Sequence, residues 1–243
     1  MDFSFTSEQQ QLRDSLSRLL QQRYGFEARR EIVNSGDGWS RDLWRDFVDM
    51  GLLALPFAES AGGLGGSPVD LVAVAELLGE YLVVEPYLSN VTAGSLLAAT
   101  GSEAARAWLS RLVAGEATAA LAHEEARGAF DVTAIETAAR SHDGKFALDG
   151  AKSLVIGGSV DLLLVSARLD GSTALFAVPP NAPGVSAERY TTIDGKRAAN
   201  LTFDNVTLMT GHPLLADASL ILARALDQSV RRCQTNVAAA PWR

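Results

Sequence analysis

Residues 143–178 read DGKFALDGAKSLVIGGSVDLLLVSARLDGSTALFAV, a stretch in which Asp-Gly pairs alternate with short apolar runs. A further pair, Asp194-Gly195, follows downstream. Asp-Gly favours a type I′ hairpin turn, because glycine adopts positive φ freely and aspartate tolerates it. The pairs separate four segments that we interpret as strands: Lys145–Leu148, Leu162–Ala167, Thr173–Val178 and Ala198–Phe203. Short strands at this spacing predict a small antiparallel β-sandwich or barrel.

The chain before Ala120 predicts helices instead. Leucines recur at helical spacing after Thr6, which begins a capping pattern with Gln9. Three later apolar stripes each follow a hydroxyl residue suited to a helix N-cap, namely Ser40, Ser67 and Ser102. A further helix is expected to open at Pro86, which gives five helices, and an apolar strand is expected at Ala117–Ala122.

These patterns predict an α+β fold. We expect an N-terminal all-helical domain over residues 1–117, a middle β domain over residues 118–212, and a last segment over residues 213–243. Within that segment Ala218–Val230 has leucines and valine at helical spacing, but a polar run follows. We therefore expect this helix to be the truncated start of a further helical domain.

A glycine-rich loop at Pro56–Gly66 invites comparison with phosphate-binding loops. Its glycine spacing matches neither GxGxxG nor a Walker loop, and no strand precedes it. We interpret it as a loop between two helices.

Composition and charge restrict the classes of function. The net charge of −8 argues against nonspecific binding to nucleic acid, which needs a local excess of lysine and arginine. Cys233 is the only cysteine and there are three histidines, so neither an internal disulfide nor a Cys/His zinc site is expected. No secretory signal or apolar membrane-spanning stretch is visible. We therefore expect a cytoplasmic protein without nucleic-acid or membrane partners.

The segment His123-Glu124-Glu125 is the main candidate for acid–base or metal chemistry. A metalloprotease helix would need HExxH, and position 127 is arginine. Adjacent acids on a strand point to opposite faces, so they do not form a paired-carboxylate site. His142 and His212 are interpreted as loop residues. Residue chemistry alone therefore predicts neither a catalytic nor a metal-binding residue.

A helical block followed by eight short segments resembles the acyl-CoA dehydrogenase family, over about residues 3–228. In chain order the segments are ESAGGLG at 59–65, ELLG at 76–79, EPYL at 85–88, LDGAK at 148–152, VDLLLV at 160–165, VP at 178–179, PGV at 183–185 and LTFDNV at 201–206. The EPYL segment is similar to the branch that acts on bulky, often steroid-derived, acyl-CoA thioesters. Members of that branch commonly pair two unlike subunits.

The resemblance implies a helical domain, a middle β domain and a C-terminal four-helix bundle, with FAD between the middle domain and the bundle. It implies that a glutamate base removes the α-proton of an acyl-CoA thioester while the flavin N5 accepts a hydride from the β-carbon. Hydrogen bonds that polarise the thioester acidify that proton. Homo- or hetero-oligomers and an acceptor of the electron-transfer-flavoprotein type are also implied.

Two departures from the family pattern matter. The bundle, which carries the family's base, is expected to be missing, so no catalytic residue is carried over to this chain. The flavin motif of the middle domain corresponds to about Ala122–Asp131, where most of its residues differ. The positions that match the family's flavin contacts are Ala122, His123, Glu124, Leu154 and Ile156. Leucine replaces an aromatic at 154, and Ile156 has no hydroxyl, so only its backbone could hydrogen-bond the ring.

Three functional hypotheses follow. The chain could be a dehydrogenase truncated by a frameshift or split gene and inactive alone. It could instead be a non-catalytic partner subunit of a heteromeric dehydrogenase, or a free-standing acyl-CoA-binding module. An uncovered apolar face favours an oligomer.

Overall fold

The computed structural model describes residues 5–128, 131, 133–157, 159–208 and 214–227. Residues 5–113 are mainly helical, and seven strands between residues 119 and 208 form one sheet. Six α-helices have both ends within the described residues: α1 Ser7–Arg23, α2 Phe26–Asn34, α3 Arg41–Asp49, α4 Pro68–Glu80, α5 Tyr87–Thr100 and α6 Glu103–Val113. Residues 219–227 are also helical. Within the described chain, no helix is both long and apolar enough to cross a bilayer.

The capping residues explain where these helices begin. The hydroxyls of Ser40, Ser67 and Ser102 each accept a hydrogen bond from the backbone three residues on. Thr6 and Gln9 form the predicted capping box, which satisfies two otherwise unpaired backbone donors. The predicted starts of α1, α3, α4 and α6 are therefore confirmed. The glycine-rich segment lies between α3 and α4, as expected, and includes a 3₁₀ turn over Glu59–Ala61.

One helix and part of another differ from the sequence-based expectation. Helix α2, Phe26–Asn34, was not predicted: it is short and has no fully buried residue, and only Ile32 and Val33 at its end pack against the helical core. The predicted helix Ala218–Val230 is observed over residues 219–227, and its last three residues lie outside the described part of the chain.

The sheet contains seven strands: β1 Ala119–Ala122, β2 Ala138–His142, β3 Lys145–Ile156, β4 Leu162–Leu169, β5 Ser172–Val178, β6 Val185–Thr191 and β7 Arg197–Leu208. Their order is β1-β4-β2-β3-β7-β6, with β5 on the free edge of β4. Strands β1 and β2 both pair with β4 in parallel, whereas the remaining pairs are antiparallel. The sheet is therefore mixed, and the prediction of a purely antiparallel domain is wrong. Turn dipeptides indicate only antiparallel hairpins between neighbouring strands. Nothing in the local sequence indicates that β1 pairs in parallel with the distant β4.

Three of the four Asp-Gly pairs are turns, and one is not. Asp143-Gly144 joins β2 to β3 and Asp170-Gly171 joins β4 to β5, each with positive φ at both residues as a type I′ turn requires. Asp194-Gly195 lies in the β6–β7 connection, with positive φ at the glycine. Asp149-Gly150 instead lies inside β3, at a register shift between Leu148 and Gly150, so the turn predicted there is wrong. A β-bulge uses the same glycine conformations as a turn, which explains the misassignment.

Three hydrophobic clusters hold these elements together. One packs α1, α3 and α4 around Phe47 and Tyr87, and another lies inside the curled sheet, where Phe146 and Phe176 meet edge to face. The third joins α5 and α6 to β1, β4 and β5 and includes Leu222. The helical part is thus packed directly on the sheet, with the ring of Phe57 buried in the same cluster.

Gly94 gives a test of this third cluster. A Cβ added there would lie 2.4 Å from Cζ of the Phe57 ring. We expect Gly94→Ala to lower the free energy of unfolding by about 1–3 kcal/mol, because overpacking outweighs the better helix propensity of alanine. Gly36→Ala is the control, since a Cβ there meets no atom within 4 Å, and it should change stability by less than about 0.5 kcal/mol. Urea denaturation measures both, and equal effects would contradict the packing argument.

Candidate functional site

A cavity of about 290 Å³ lies between the helical part and the sheet. Most of its lining is apolar, and one side carries charged residues of the β6–β7 connection. The helical part contributes Gly38, Trp39, Leu78, Val83, Val84, Glu85, Pro86, Tyr87, Leu88, Ser89 and Thr92. The remaining lining residues are Leu121, Leu154, Ile156, Gly157, Thr192, Asp194, Lys196, Arg197 and Leu226.

Hydrogen bonds to main-chain carbonyls fasten the two sides of the cavity together. The Ser89 hydroxyl on α5 donates to the Ile156 carbonyl on β3 over 3.0 Å. Arg29 donates to the carbonyls of Leu82 and Asp194, and Arg197 donates to those of Val33 and Ser35. These contacts fix how the sheet sits against the helices and therefore set the width of the cavity.

Two of the residues matched to flavin contacts line this cavity. Leu154 has φ of +52° and is 51% exposed, at a register shift between Lys152 and Val155. A bulge re-aims side chains, and here it leaves a large apolar side chain exposed at the cavity. Ile156 is half-buried and also lines the cavity.

The other three matched residues lie together at the end of β1, outside the cavity lining. Ala122 is buried and pairs with Val165. His123 is buried, with Nδ1 2.9 Å from the Ser166 hydroxyl, whereas Glu124 is exposed. The Glu124 carbonyl accepts the Ser153 N–H over 2.8 Å. This segment is therefore tied to β3 one residue before Leu154.

A buried lysine connects these pieces. Lys152 on β3 is 1% exposed, and its Nζ donates to the His123 carbonyl at 3.0 Å, Glu125 Oε1 at 2.7 Å and the Ser166 hydroxyl at 3.0 Å. Three acceptors satisfy all three ammonium hydrogens. The Glu125 carboxylate also accepts the backbone N–H groups of Glu136 and Thr137. From the sequence alone, Lys152 was used only as part of the LDGAK segment, and Glu125 only as an acid next to Glu124.

The pKa values of the pair follow from this geometry. Burial lowers the pKa of Lys152, since it disfavours the ammonium form, although the hydrogen bond and charge of Glu125 act in the opposite direction. Burial alone would raise the pKa of Glu125, but hydrogen bonds from Lys152 and Thr137 outweigh it and the pKa is lowered. The carboxylate is thus held ionised by its partners.

Glu85 is the second buried carboxyl, and it lies in the loop between α4 and α5. It is 4% exposed and lines the cavity; Oε1 accepts the Ser40 N–H over 3.1 Å. Its Oε2 has no hydrogen-bond partner among the described residues. Burial raises the pKa of Glu85. Burial, followed by the charge of Glu85 and a hydrogen bond to it, raises the pKa of the neighbouring Tyr24 hydroxyl. Sequence reasoning used Glu85 only as part of the EPYL segment.

No group of three or more histidine, cysteine, aspartate or glutamate side chains in the described part of the chain is arranged to hold a metal ion. His142 ends β2, where its backbone pairs with Lys145. His212 and Cys233 lie outside the described residues.

Removing Lys152 tests whether the buried pair holds this part of the sheet. We expect Lys152→Met to cost about 3–5 kcal/mol of unfolding free energy, because Glu125 would remain buried and unpaired. Adding Glu125→Leu should restore part of that loss. The control is Arg140→Met, whose exposed ion pair with Asp149 should be worth only about 0–1 kcal/mol. A similar loss in both single variants, measured by urea denaturation, would argue against a buried pair.

Glu85 makes a pH-dependent contribution to stability. Its pKa is raised in the folded chain, so ionisation is more costly there than in the unfolded chain. Stability should therefore fall as pH rises from the ordinary glutamate value of about 4.3 through the folded pKa, and stay lower above it. Glu85→Gln should remove this fall. Thermal melting of both proteins between pH 4 and about 8 measures this fall. If the stability of the wild type relative to the Gln variant increased with pH, the expected direction would be wrong.

Comparison with known proteins matches this architecture. A family model described as the acyl-CoA dehydrogenase N-terminal domain matches residues 6–116, and one described as the acyl-CoA dehydrogenase middle domain matches residues 120–206. The acyl-CoA dehydrogenase FadE27 of Mycobacterium tuberculosis is 32% identical over 197 residues, which cover 79% of this chain and 51% of FadE27. This chain spans about half the length of the curated relatives that it matches.

Two solved structures share the fold and more than a quarter of the sequence. The Tcur3481-Tcur3483 steroid ACAD, in its G363A variant, has a TM-score of 0.84 at 28% identity, over 94% of this chain and 62% of that one. The ChsE4-ChsE5 complex from Mycobacterium tuberculosis has a TM-score of 0.85 at 27% identity, over 96% and 64%. Both family models, the FadE27 similarity and these structures agree, and the chain belongs to the acyl-CoA dehydrogenase family.

Proposed function

We propose that this chain forms the acyl-thioester-binding part of an acyl-CoA dehydrogenase and takes part in α,β-dehydrogenation with FAD. The observation that carries the proposal is the cavity between helices α4–α5 and strands β1 and β3. Its apolar lining suits a bulky acyl group, which gains free energy when its surface leaves water. We also propose that the domain boundaries lie at residues 117 and 212. The cavity lies at the first boundary, between the helical part and the sheet.

The apolar and the charged lining residues suit the two parts of an acyl-CoA thioester. Trp39, Leu78 and Leu121 offer apolar surface, whereas Asp194, Lys196 and Arg197 are polar. The Lys196 ammonium pairs with Asp194 over 2.7 Å, and both side chains remain partly exposed. We therefore assign the acyl chain to the apolar part of the lining and the CoA arm to the charged part.

The residues that would face a flavin fit one wall of its site. Leu154 offers exposed apolar surface on which a planar ring can pack. The side-chain hydroxyl that the family pattern places two residues later is replaced by Ile156, and the ring of His123 is already hydrogen-bonded to Ser166. When bound, FAD would supply the acceptor for the hydride. Leu154 would pack against it, and Lys152 would hold the β1 end in place beside it.

A second chain is proposed to complete the site. The described flavin-facing residues offer one apolar wall, and the ChsE4-ChsE5 relative is a complex of two proteins. We therefore propose a homo- or hetero-oligomer, with an acceptor of the electron-transfer-flavoprotein type and a cytoplasmic location. The family's glutamate base belongs to the bundle, so no residue of this chain is proposed as the catalytic base.

The alternative is a non-catalytic partner subunit of a heteromeric dehydrogenase. The replacement of the flavin-contacting hydroxyl by Ile156 favours it, because a subunit that does no flavin chemistry needs no such group. It predicts thioester or partner binding without flavin.

Two measurements on the purified full-length chain separate these proposals. Calorimetry with a bulky acyl-CoA is expected to show binding that Leu121→Arg abolishes, because a charged side chain in the apolar cavity must displace the acyl group or remain unsolvated. The visible absorption spectrum after adding FAD, with and without a co-expressed partner, reports flavin per chain. If the chain binds the thioester, and binds flavin only when the partner is present, the result supports a dehydrogenase site shared between two chains.

The outcomes are distinct. Thioester binding with no flavin under either condition would favour the non-catalytic subunit. No thioester binding to a folded chain would contradict the proposed function itself. The control Phe26→Arg changes a residue at the start of α2 that is 78% exposed and does not line the cavity, and it should leave thioester affinity within about twofold, as surface substitutions usually do.

A further inference from the structure

Strand β3 is irregular at the point where it reaches the cavity. Its pairing with β7 shifts in register between Lys152 and Val155. Ser153 and Leu154 therefore both lie opposite a single residue of β7, Asn200. Two residues opposite one constitute a β-bulge, which bends a strand and changes the direction of its side chains.

The bulge decides which side chains of β3 reach the cavity. Lys152 and Val155 are both buried, although residues three apart on a regular strand point to opposite faces. Leu154 and Ile156, on either side of Val155, line the cavity. On a regular strand these two side chains would share the face of Lys152. The apolar wall that β3 gives to the cavity therefore depends on the bulge.

Hydrogen bonds from outside the strand ladder hold the bulge. Leu154 has φ of +52°, which is unfavourable for a residue with a Cβ atom and persists only when the surroundings hold it. The Leu154 N–H donates to Oδ1 of Asn200 over 3.2 Å. The Ser153 N–H donates to the Glu124 carbonyl over 2.8 Å. A side chain of β7 thus takes the place of a ladder partner for the strained residue.

The carboxamide of Asn200 is itself held in a fixed orientation. Its Oδ1 also accepts the Tyr190 hydroxyl over 3.2 Å, and its Nδ2 donates to Glu188 Oε2 over 3.4 Å. Tyr190 and Glu188 both belong to β6, the strand next to β7. Asn200 does not line the cavity, so any effect that it has on a ligand must pass through the bulge.

We propose that Asn200 is a positioning residue: by accepting the Leu154 N–H, it holds the bulge that places the side chains of Leu154 and Ile156 against the acyl group. The inference rests on the proposed thioester-binding function, and it adds a residue that sets affinity without touching the ligand. When the acceptor is removed, only a fraction of the molecules keep the bulged conformation, and the apparent affinity falls by that fraction.

The test is a double-mutant cycle measured by calorimetry with dodecanoyl-CoA on the full-length chain. Asn200→Leu removes the acceptor and should weaken binding by about three- to tenfold, the effect of one hydrogen bond. Leu154→Gly removes the apolar side chain and leaves a residue that adopts positive φ without strain. In that background Asn200→Leu should change the affinity by less than about twofold. A general loss of structure would instead weaken binding by the same factor in both backgrounds.

A conservative variant tests whether the acceptor itself matters. Asn200→Asp keeps Oδ1, and it is combined with Glu188→Gln so that two carboxylates do not face each other. This pair of substitutions should keep the wild-type affinity within about twofold.

The matched control lies at the other register shift between the same two strands. There Oδ1 of Asp149 accepts the N–H of Asn205, which also has positive φ, and neither residue lines the cavity. Asp149→Leu removes a similar acceptor and should leave the affinity for dodecanoyl-CoA unchanged. Thermal melting establishes that each variant is folded.

The outcomes separate the inference from the function on which it rests. If the folded wild-type chain does not bind dodecanoyl-CoA, the thioester-binding function and the inference both fail. If it binds and Asn200→Leu binds equally well, only the positioning role is wrong. Equal losses in the two backgrounds, or a loss in the Asn200→Asp variant, would also overturn that role. The Asp variant decides the matter if Asn200→Leu does not fold.

Discussion

The buried ammonium of Lys152 is the interaction on which the sheet and the site both depend. Strands β1 and β2 pair with the same strand, β4, so the chain must leave the sheet after Ala122 and return at Ala138. The described residues of that interval belong to no strand, so most of their backbone groups need partners outside a strand ladder. The lysine binds the His123 carbonyl and orients Glu125, whose carboxylate then receives the returning N–H groups of Glu136 and Thr137. Polar side chains thus replace the missing ladder.

The same lysine links this break to the cavity. Lys152 is buried at a register shift, and Leu154, only two residues on, has positive φ and faces the cavity. A regular strand would place residues 152 and 154 on the same face. The irregularity allows one side chain to enter the polar cluster and the other to reach the site, so the geometry of the site follows from where the strand is distorted.

Local signals predicted the parts of the fold that are encoded locally. Caps at Ser40 and Ser67, and the turn at Asp143-Gly144, depend on neighbours within a few residues, and each is present as predicted. Helix α2 and the parallel pairing of β1 were missed because one is short and has no fully buried residue and the other joins distant segments. Asp149-Gly150 shows the limit of dipeptide signals, since a bulge and a turn need the same conformations. The resemblance identified Leu154 and Ile156, whereas the importance of Glu85 depends on Ser40 and Tyr24, which are far away in sequence.

The two buried carboxyls show how similar burial can serve different ends. Glu125 meets an ammonium and two backbone donors, so its ionised form is satisfied inside the chain and contributes to a fixed structure. Glu85 meets one backbone donor and lies beside the Tyr24 hydroxyl, and its enclosed Oε2 makes no hydrogen bond with a described residue that meets the distance and angle limits. A group of the second kind is a cost to the folded chain by itself. Burial therefore raises the pKa of Glu85, and protonation relieves part of that cost, whereas the partners of Glu125 keep it ionised.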